Sequence, residues 1–198
     1  MREFRDKTAI VGVGTTPCMK ESGVSVLNLA VQAVKEAIDD AGLKPTDIDG
    51  IGSYNGADSV TPHHVASALG IPELRWNGDY AGGGFASNTV VLTAAAMVNM
   101  GICNYAVVYR AMNGRSGVRI GGGPTSTGVR RARPGGVSLG SVYGINSAPP
   151  GFDLKARAHM EKYGTISEQF GWVAVATRYH ASLNPQAQMK RIIRSPGI

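Results

Sequence analysis

Between Leu74 and Gly101 the chain runs from a candidate strand (Leu74–Tyr80) through a sharp glycine turn (Gly82–Gly84) into an apolar helix (Ser87–Met100). That succession sets one residue at the positive end of a helix dipole, where backbone N–H groups stabilise a thiolate or an oxyanion. Enzymes hold nucleophiles in this geometry, yet the turn carries no thiol. Its nearest hydroxyl is Ser87, three residues past Gly84. A serine nucleophile needs a base within reach, and the sequence locates none. The commoner task of such a hydroxyl is to satisfy backbone N–H groups where a helix begins.

Other reactive residues point to less. Cys18 and Cys103 are too few for a disulfide framework or a zinc site and read as reduced thiols of an intracellular protein. Cys103 opens a candidate buried strand, so burial is its expected role. His63 and His64 are adjacent and expected to face different ways, and no Cys or carboxylate stands near them at ligand spacing. Gly12-x-Gly14 follows a candidate strand, but position 17 is Pro17 and no helix begins at the turn, so a dinucleotide phosphate has no helix end to sit on.

Charge is unevenly placed. The net charge is +6, and between Asp79 and Asp153 there is no acidic residue, only Arg110, Arg115, Arg119, Arg130, Arg131 and Arg133. An arginine field of this kind suits a phosphorylated ligand or an acidic partner; a solvated loop accounts for it equally. Nucleic acid is not expected, because the arginines lack interleaved aromatics and no helix-turn-helix pattern accompanies them. Asn113 and Arg115, just past the third strand of the core, are candidates by position to line an active-site floor.

The elements that must position these residues follow from periodicity. With 43% apolar and 17% charged residues, against about 25% charged in an average domain, the chain can bury a real core. Thr8–Gly14 (TAIVGVG) reads as a fully buried strand. Ser25 is a plausible N-cap for a helix carrying Leu27, Ala30, Val31, Val34, Ala37 and Ile38, closed by Gly42. Asp47–Tyr54 reads as a strand, Val60–Leu69 as a short helix, and Asn104–Tyr109 as another buried strand. The Ser87–Met100 helix is apolar on nearly all sides, the mark of a buried helix. Residues 114–149 are rich in glycine, serine, proline and arginine and read as a long loop. Helices are expected over Phe152–Tyr163 and Ser167–Ser182, after which the chain stops without the returning strand they need. The expected organisation is a βαβαβ core over 1–113, a Gly/Arg-rich loop over 114–149 and a helical continuation over 150–198. Strand–helix alternation makes this an α/β fold, a mostly parallel sheet with helices on both faces. The charged N-terminus does not fit a signal peptide, and no apolar run approaches the ~20 residues of a membrane span, so a cytoplasmic location is expected.

Three phrases, TAIVGVGTTP, DDAGLKPTDIDGI and GFASNTVVLTAAAMVNMGICNYAVV, resemble the thiolase superfamily and within it the sterol-carrier-protein-type thiolases. In those enzymes a Cys-Ala-Ser/Thr-Gly turn opens the buried helix. Counting back from Gly101 at the family spacing puts Gly84 at the cysteine. DYAGGGFAS and VVYRAMNGRSGVRIGG resemble a narrower branch, the lipid-transfer-protein-like aldolases of bacterial steroid side-chain degradation, which carry a glycine run there.

The resemblance implies a mixed, mostly parallel sheet and a two-half, dimeric protein of which this chain supplies the N-terminal half. It implies a CoA thioester as substrate with no further cofactor, an OB-fold partner protein, and acid/base residues mainly in the other half. Gly82, Gly83, Gly84, Asn113 and Arg115 become candidate substrate-binding residues, and Arg130, Arg131 and Arg133 candidate ligands of the CoA phosphates. Without a thiol at position 84 no acyl-enzyme can form there, whereas retro-aldol cleavage of a β-hydroxyacyl-CoA needs no acyl acceptor. A non-catalytic lipid- or partner-binding scaffold, and an acyltransferase using Cys103 or Cys18, stay open as alternatives.

Overall fold

The computed structural model describes residues 5–55, 59–82, 84–114, 143 and 148–194. The chain divides into two compact units, Met1–Pro17 with Glu21–Ile120, and Cys18–Lys20 with Gly121–Ile198.

The first unit holds a three-stranded parallel sheet. In chain order its elements are helix α1 (Val26–Asp40), a 3-10 turn (Pro45–Asp47), strand β1 (Gly50–Asn55), helix α2 (Pro62–Leu69), strand β2 (Trp76–Ala81), helix α3 (Ala86–Asn99) and strand β3 (Ala106–Tyr109). The strand order is β2-β1-β3, with Gly50 opposite both Trp76 and Ala106.

Local signals set these boundaries. Ser25 caps α1 by accepting a hydrogen bond from the Asn28 N–H at 3.1 Å, and α2 ends at Gly70 in the left-handed region. The register of β1 against β3 is fixed at its lower end by Asp49. That carboxylate accepts from the backbone N–H of Asn104 (2.8 Å) and Tyr105 (2.9 Å), and from the Asn104 side chain (3.0 Å).

Alternation along the strands gives the sheet two packed faces. On one, Ile51, Val107 and Tyr109 pack with Ala30, Val34 and Ile38 of α1 and Val65 of α2. On the other, Trp76 packs with Val90 and Ala94 of α3 and with Cys103. The Trp76 ring reaches β1 at Gly52 because position 52 has no side chain. A Cβ on Gly52 would stand 2.6 Å from the ring and 2.7 Å from Val90. Helices on both faces of a parallel sheet are what the strand–helix alternation leads one to expect. The inner face of α3 is buried through Ala86, Val90 and Ala94, while Val91 and Leu92 on its other side are exposed.

The N-terminal segment departs from expectation. Thr8–Gly14 joins no strand ladder among the described residues, and Ile10, Val11 and Val13 are exposed. Its backbone is held by α1 instead: Val13 N–H donates to Asp40 and Thr15 N–H to Glu36, each at 2.9 Å. Carboxylates of a helix have taken donors that a neighbouring strand would use. Gly12 and Gly14 permit this approach, since a Cβ on either would fall within 2.3 Å of an α1 carbonyl. These two glycines therefore serve helix packing.

The second unit contains helices α4 (Ala148–Tyr163) and α5 (Ser167–Leu183). Gly164, at a φ of 68°, separates them, and Gln169 closes the start of α5 by accepting from the Ile166 N–H at 2.9 Å. No residue of α5 is buried. No helix among the described residues is long and apolar enough to cross a membrane.

Candidate functional site

The C-terminal ends of the three parallel strands and the start of α3 meet at one edge of the sheet, the edge where open α/β sheets bind ligands. Gly84 sits there, with Phe85 between it and the first residue of α3. Its φ is not in the left-handed region, and among the described residues a Cβ added to it would meet nothing within 4 Å. Neither backbone conformation nor crowding calls for glycine at this position. What the glycine provides is open space at the head of the helix.

No side chain caps that helix end. The Ser87 hydroxyl, expected to satisfy backbone N–H groups, donates instead to the Gly84 carbonyl at 2.8 Å. That bond uses the hydroxyl proton and not the oxygen lone pairs a cap would use, and among the described residues no side-chain cap bond is made at the start of α3. Phe85 is 69% exposed. Its ring tip would lie 2.9 Å from a Cβ on Gly82, so Gly82 makes room for that ring. Gly83 lies outside the described residues, as do Arg115, Arg130, Arg131 and Arg133.

Asn113, a candidate by position for the active-site floor, is held at both ends of its side chain. Its amide donates to the Val24 carbonyl (2.6 Å), and its oxygen accepts from the Ser22 hydroxyl (2.9 Å). Both ends of the side chain thus tie the segment after β3 to the segment that leads into α1.

Three residues that the sequence did not mark as site candidates come together at this edge of the sheet. Tyr54 and Tyr80 are register partners at the ends of β1 and β2, and both pack against the Trp76–Val90 cluster. The Arg110 guanidinium lies over the Tyr54 ring, 4.5 Å from its centroid. Their spacing in sequence, 26 and 30 residues apart (80 − 54 and 110 − 80), carries no motif; only the pairing of the strands brings them together. On the opposite face, Ser53 donates to Asp79 at 2.6 Å, and the Tyr109 hydroxyl donates to the Val60 carbonyl at 2.6 Å. Burial raises the Tyr109 pKa well above a normal phenol; the Ser53 hydrogen bond lowers it in part, and the Asp79 charge adds to the rise.

The cysteines separate clearly. Cys103 is 1% exposed, and burial, followed by the charge of Asp49, pushes its thiol pKa up. Such a thiol is protonated at neutral pH and a poor nucleophile. Cys18 is exposed and its carbonyl accepts from the Gln188 amide. His63 and His64, expected to face apart, are in ring contact, with centroids 4.1 Å apart and planes tilted by 41°. The Thr61 hydroxyl, where α2 begins, lies 2.8 Å from His64 Nδ1. Among the described residues no three His, Cys, Asp or Glu side chains gather as metal ligands would.

No model of a protein family matches the chain. Individual proteins do. The chain is 41% identical over 180 residues to a steroid side-chain-cleaving aldolase of Thermomonospora curvata, an alignment covering 90% of this chain and 46% of that protein. It is 40% identical over 188 residues to the 17-hydroxy-3-oxo-4-pregnene-20-carboxyl-CoA lyase of Mycobacterium tuberculosis, covering 91% and 47%. The solved Ltp2-ChsH2(DUF35) aldolase superposes with a TM-score of 0.77 at 40% identity, over 94% of this chain and 46% of that one. The chain spans about half the length of the relatives it matches. The thiolase-like fold and the aldolase branch expected from the glycine turn are those its relatives have.

Proposed function

We propose, from the place of this chain among the steroid side-chain aldolases of the thiolase-like fold, that it is part of a carbon–carbon lyase acting on a β-hydroxyacyl-CoA by retro-aldol cleavage. The observation that carries the reading is Gly84. At the head of an uncapped apolar helix, where thiolases hold their cysteine, stands a residue with no side chain and no structural need to lack one.

In the reaction a base removes the proton of the β-hydroxyl. The bond between the α and β carbons then breaks, the β-carbon becomes a ketone or aldehyde carbonyl, and the electron pair passes into the thioester enolate. Protonation at the α-carbon gives the shorter acyl-CoA. Nothing is transferred to the protein, so an acyl acceptor at position 84 is not needed. The uncapped N–H groups of α3 suit the enolate oxygen, where preorganised donors lower the barrier most. The open volume at Gly84 suits a β-carbon carrying a bulky ring system. No residue of this chain is offered as the base, which belongs to the other half of the protein.

The substrate class is a CoA thioester of a steroid side chain: one relative is named for steroid side-chain cleavage and another for a pregnene carboxyl-CoA, and the reading includes no further cofactor. Arg130, Arg131 and Arg133 are assigned to the CoA phosphates, and Asn113 and Arg115 to the floor of the substrate site. The active protein is read as a homodimer, cytoplasmic, working beside an OB-fold partner; the name of the solved aldolase includes a second protein.

The test is direct. The complete protein with its partner, incubated with β-hydroxyacyl-CoA thioesters including a steroid side-chain one, releases a ketone and a shorter acyl-CoA. No cleavage of any substrate in such a panel would sink the reading. An acyltransferase using Cys103 is disfavoured by the burial and protonation of that thiol.

A further inference from the structure

On the α3 side of the sheet, strand alternation presents Gly50, Gly52 and Tyr54 from β1, Trp76, Gly78 and Tyr80 from β2, and Ala106 and Val108 from β3. None of these is charged, and neither is any residue of α3 between Ala86 and Asn99. The one carboxylate near the end of β2, Asp79, alternates to the opposite face, where it accepts from Ser53. Arg110 follows β3 directly and lays its guanidinium on the Tyr54 ring. Among the described residues of the three strands, of α3 and of the position that follows β3, it is therefore the one charged side chain on this face, and it stands at the same sheet edge as Gly84.

Its placement is built. The ring of Tyr54 supports the flat side of the guanidinium, an arrangement that arginine makes and lysine does not reproduce. Nη1 donates to the Ala111 carbonyl at 3.3 Å, which sets the rotation of the plane. Tyr54 in turn stands opposite Tyr80 across the β1–β2 ladder. A guanidinium stacked on an aromatic face keeps its N–H donors in its own plane, at its rim. A cation fixed in an apolar wall, at the sheet edge that carries Gly84, suits an oxygen that acquires negative charge during a reaction.

We infer that Arg110, supported by Tyr54, is an anion-binding residue of this site and takes the thioester oxygen as it becomes an enolate. The inference rests on the reading of the site as one for CoA thioesters, and it assigns to this half of the protein a side-chain donor in addition to the backbone N–H groups of α3. Tyr54 acts through Arg110 and is a positioning residue.

The experiment uses the complete protein with its partner and two uncleavable ligands: a saturated acyl-CoA, and a CoA analogue in which a nitronate replaces the thioester enolate. Wild type binds the nitronate more tightly than the neutral thioester. R110Q loses roughly 10- to 100-fold of nitronate affinity, the range of a hydrogen bond to a charged group, while its affinity for the neutral thioester moves less than about twofold. Y54L loses part of the same preference, and Y54F, which keeps the ring, retains more of it than Y54L. If R110Q does not fold, R110K replaces it and gives an intermediate loss, because the charge stays and the planar stack goes.

Equal losses for both ligands, no loss in R110Q, or a wild type without preference for the nitronate would each overturn the inference. Cleavage assays separate it from the retro-aldol reading. A wild type that cleaves β-hydroxyacyl-CoA while R110Q cleaves it equally well overturns the role of Arg110 alone. A wild type that selects the nitronate through Arg110 yet cleaves nothing overturns the lyase and upholds the anion site.

Discussion

The Ser53 hydroxyl donates to the Asp79 carboxylate at 2.6 Å, between two residues that stand directly opposite each other in the β1–β2 ladder. Ser53 is fully buried in the centre of the sheet, and Tyr109 is its register partner on the other side, in β3. One polar row therefore crosses all three strands close to the edge that carries Gly84. A buried hydroxyl needs such a partner, and a carboxylate at the strand end supplies it without being buried itself.

Replacing Ser53 with Ala removes that bond and leaves Asp79 free to be hydrated. The expected loss is about 1 kcal/mol of folding stability, in the range of an ordinary hydrogen bond and less than that of a buried unpaired charge. Urea denaturation of wild type and S53A checks it. Replacing Asp79 with Ala instead strands the buried Ser53 hydroxyl, and the loss should be at least as large.

Two glycines on the α3 side should respond oppositely to substitution. At Gly84 an added side chain meets open space, so G84C should fold with stability within about 0.5 kcal/mol of wild type, as surface changes usually do. Its new thiol, at the head of α3, should react with iodoacetamide well before Cys103, which mass spectrometry of the labelled peptides reads out. At Gly52 a methyl group meets Trp76 and Val90 below 3 Å, so G52A should cost about 1–3 kcal/mol, the usual penalty of overpacking.

The succession of elements was legible because each was announced locally. Ser25 and Gly42 bound α1, Gly70 ends α2, and the apolar run from Val90 to Val98 marks α3. The glycine turn and its place before α3 were legible for the same reason. What could not be read were relationships made by the sheet. Arg110 reaches Tyr54 only because β1 and β3 are neighbours, and Ser53 meets Asp79 only through the β1–β2 register. Thr8–Gly14 misled because β-branched residues signal an extended backbone and not the partner it pairs with. The carboxylate of Asp40 on α1 holds its Val13 N–H, and that of Glu36 the N–H of Thr15 just beyond it. The contacts of Asn113 with Ser22 and Val24 lie about ninety residues away in sequence, beyond any local pattern.

Asp49 should be the costliest single carboxylate to remove. It holds two backbone N–H groups and the Asn104 side chain at the start of β3. D49A leaves those donors without their acceptor and should lose about 2–3 kcal/mol, given that bonds to a charged acceptor are the stronger kind. D49N keeps one carbonyl oxygen and should recover part of the loss. Hydrogen exchange at Asn104 and Tyr105 would show whether the effect is centred on the β1–β3 junction.

The assignment of the arginine run can be checked by kinetics. Neutralising Arg130, Arg131 and Arg133 together should raise the apparent KM for a CoA thioester more than it lowers kcat, the pattern of lost uniform binding. Truncating the CoA moiety to a pantetheine thioester should erase the difference between variant and wild type. An unchanged KM would return the three residues to the role of a solvated loop.

Alkaline pH should unfold the first unit through two groups. Cys103 and Tyr109 both have pKa values raised by burial in the folded chain, from ordinary values of 9.0 and 10.0. A raised folded pKa means that the unfolded chain gives up its proton first, so stability is complete below the unfolded value and falls as pH climbs above it. Stability should thus be flat near neutrality and decline from about pH 9 upward, at up to about 1.4 kcal/mol per pH unit for each group. C103A removes the earlier part of that decline and Y109F the later part, each at some cost at neutral pH. Denaturation midpoints measured from pH 7 to pH 11 would test both, and a decline of unchanged slope in the double variant would show that other groups govern it.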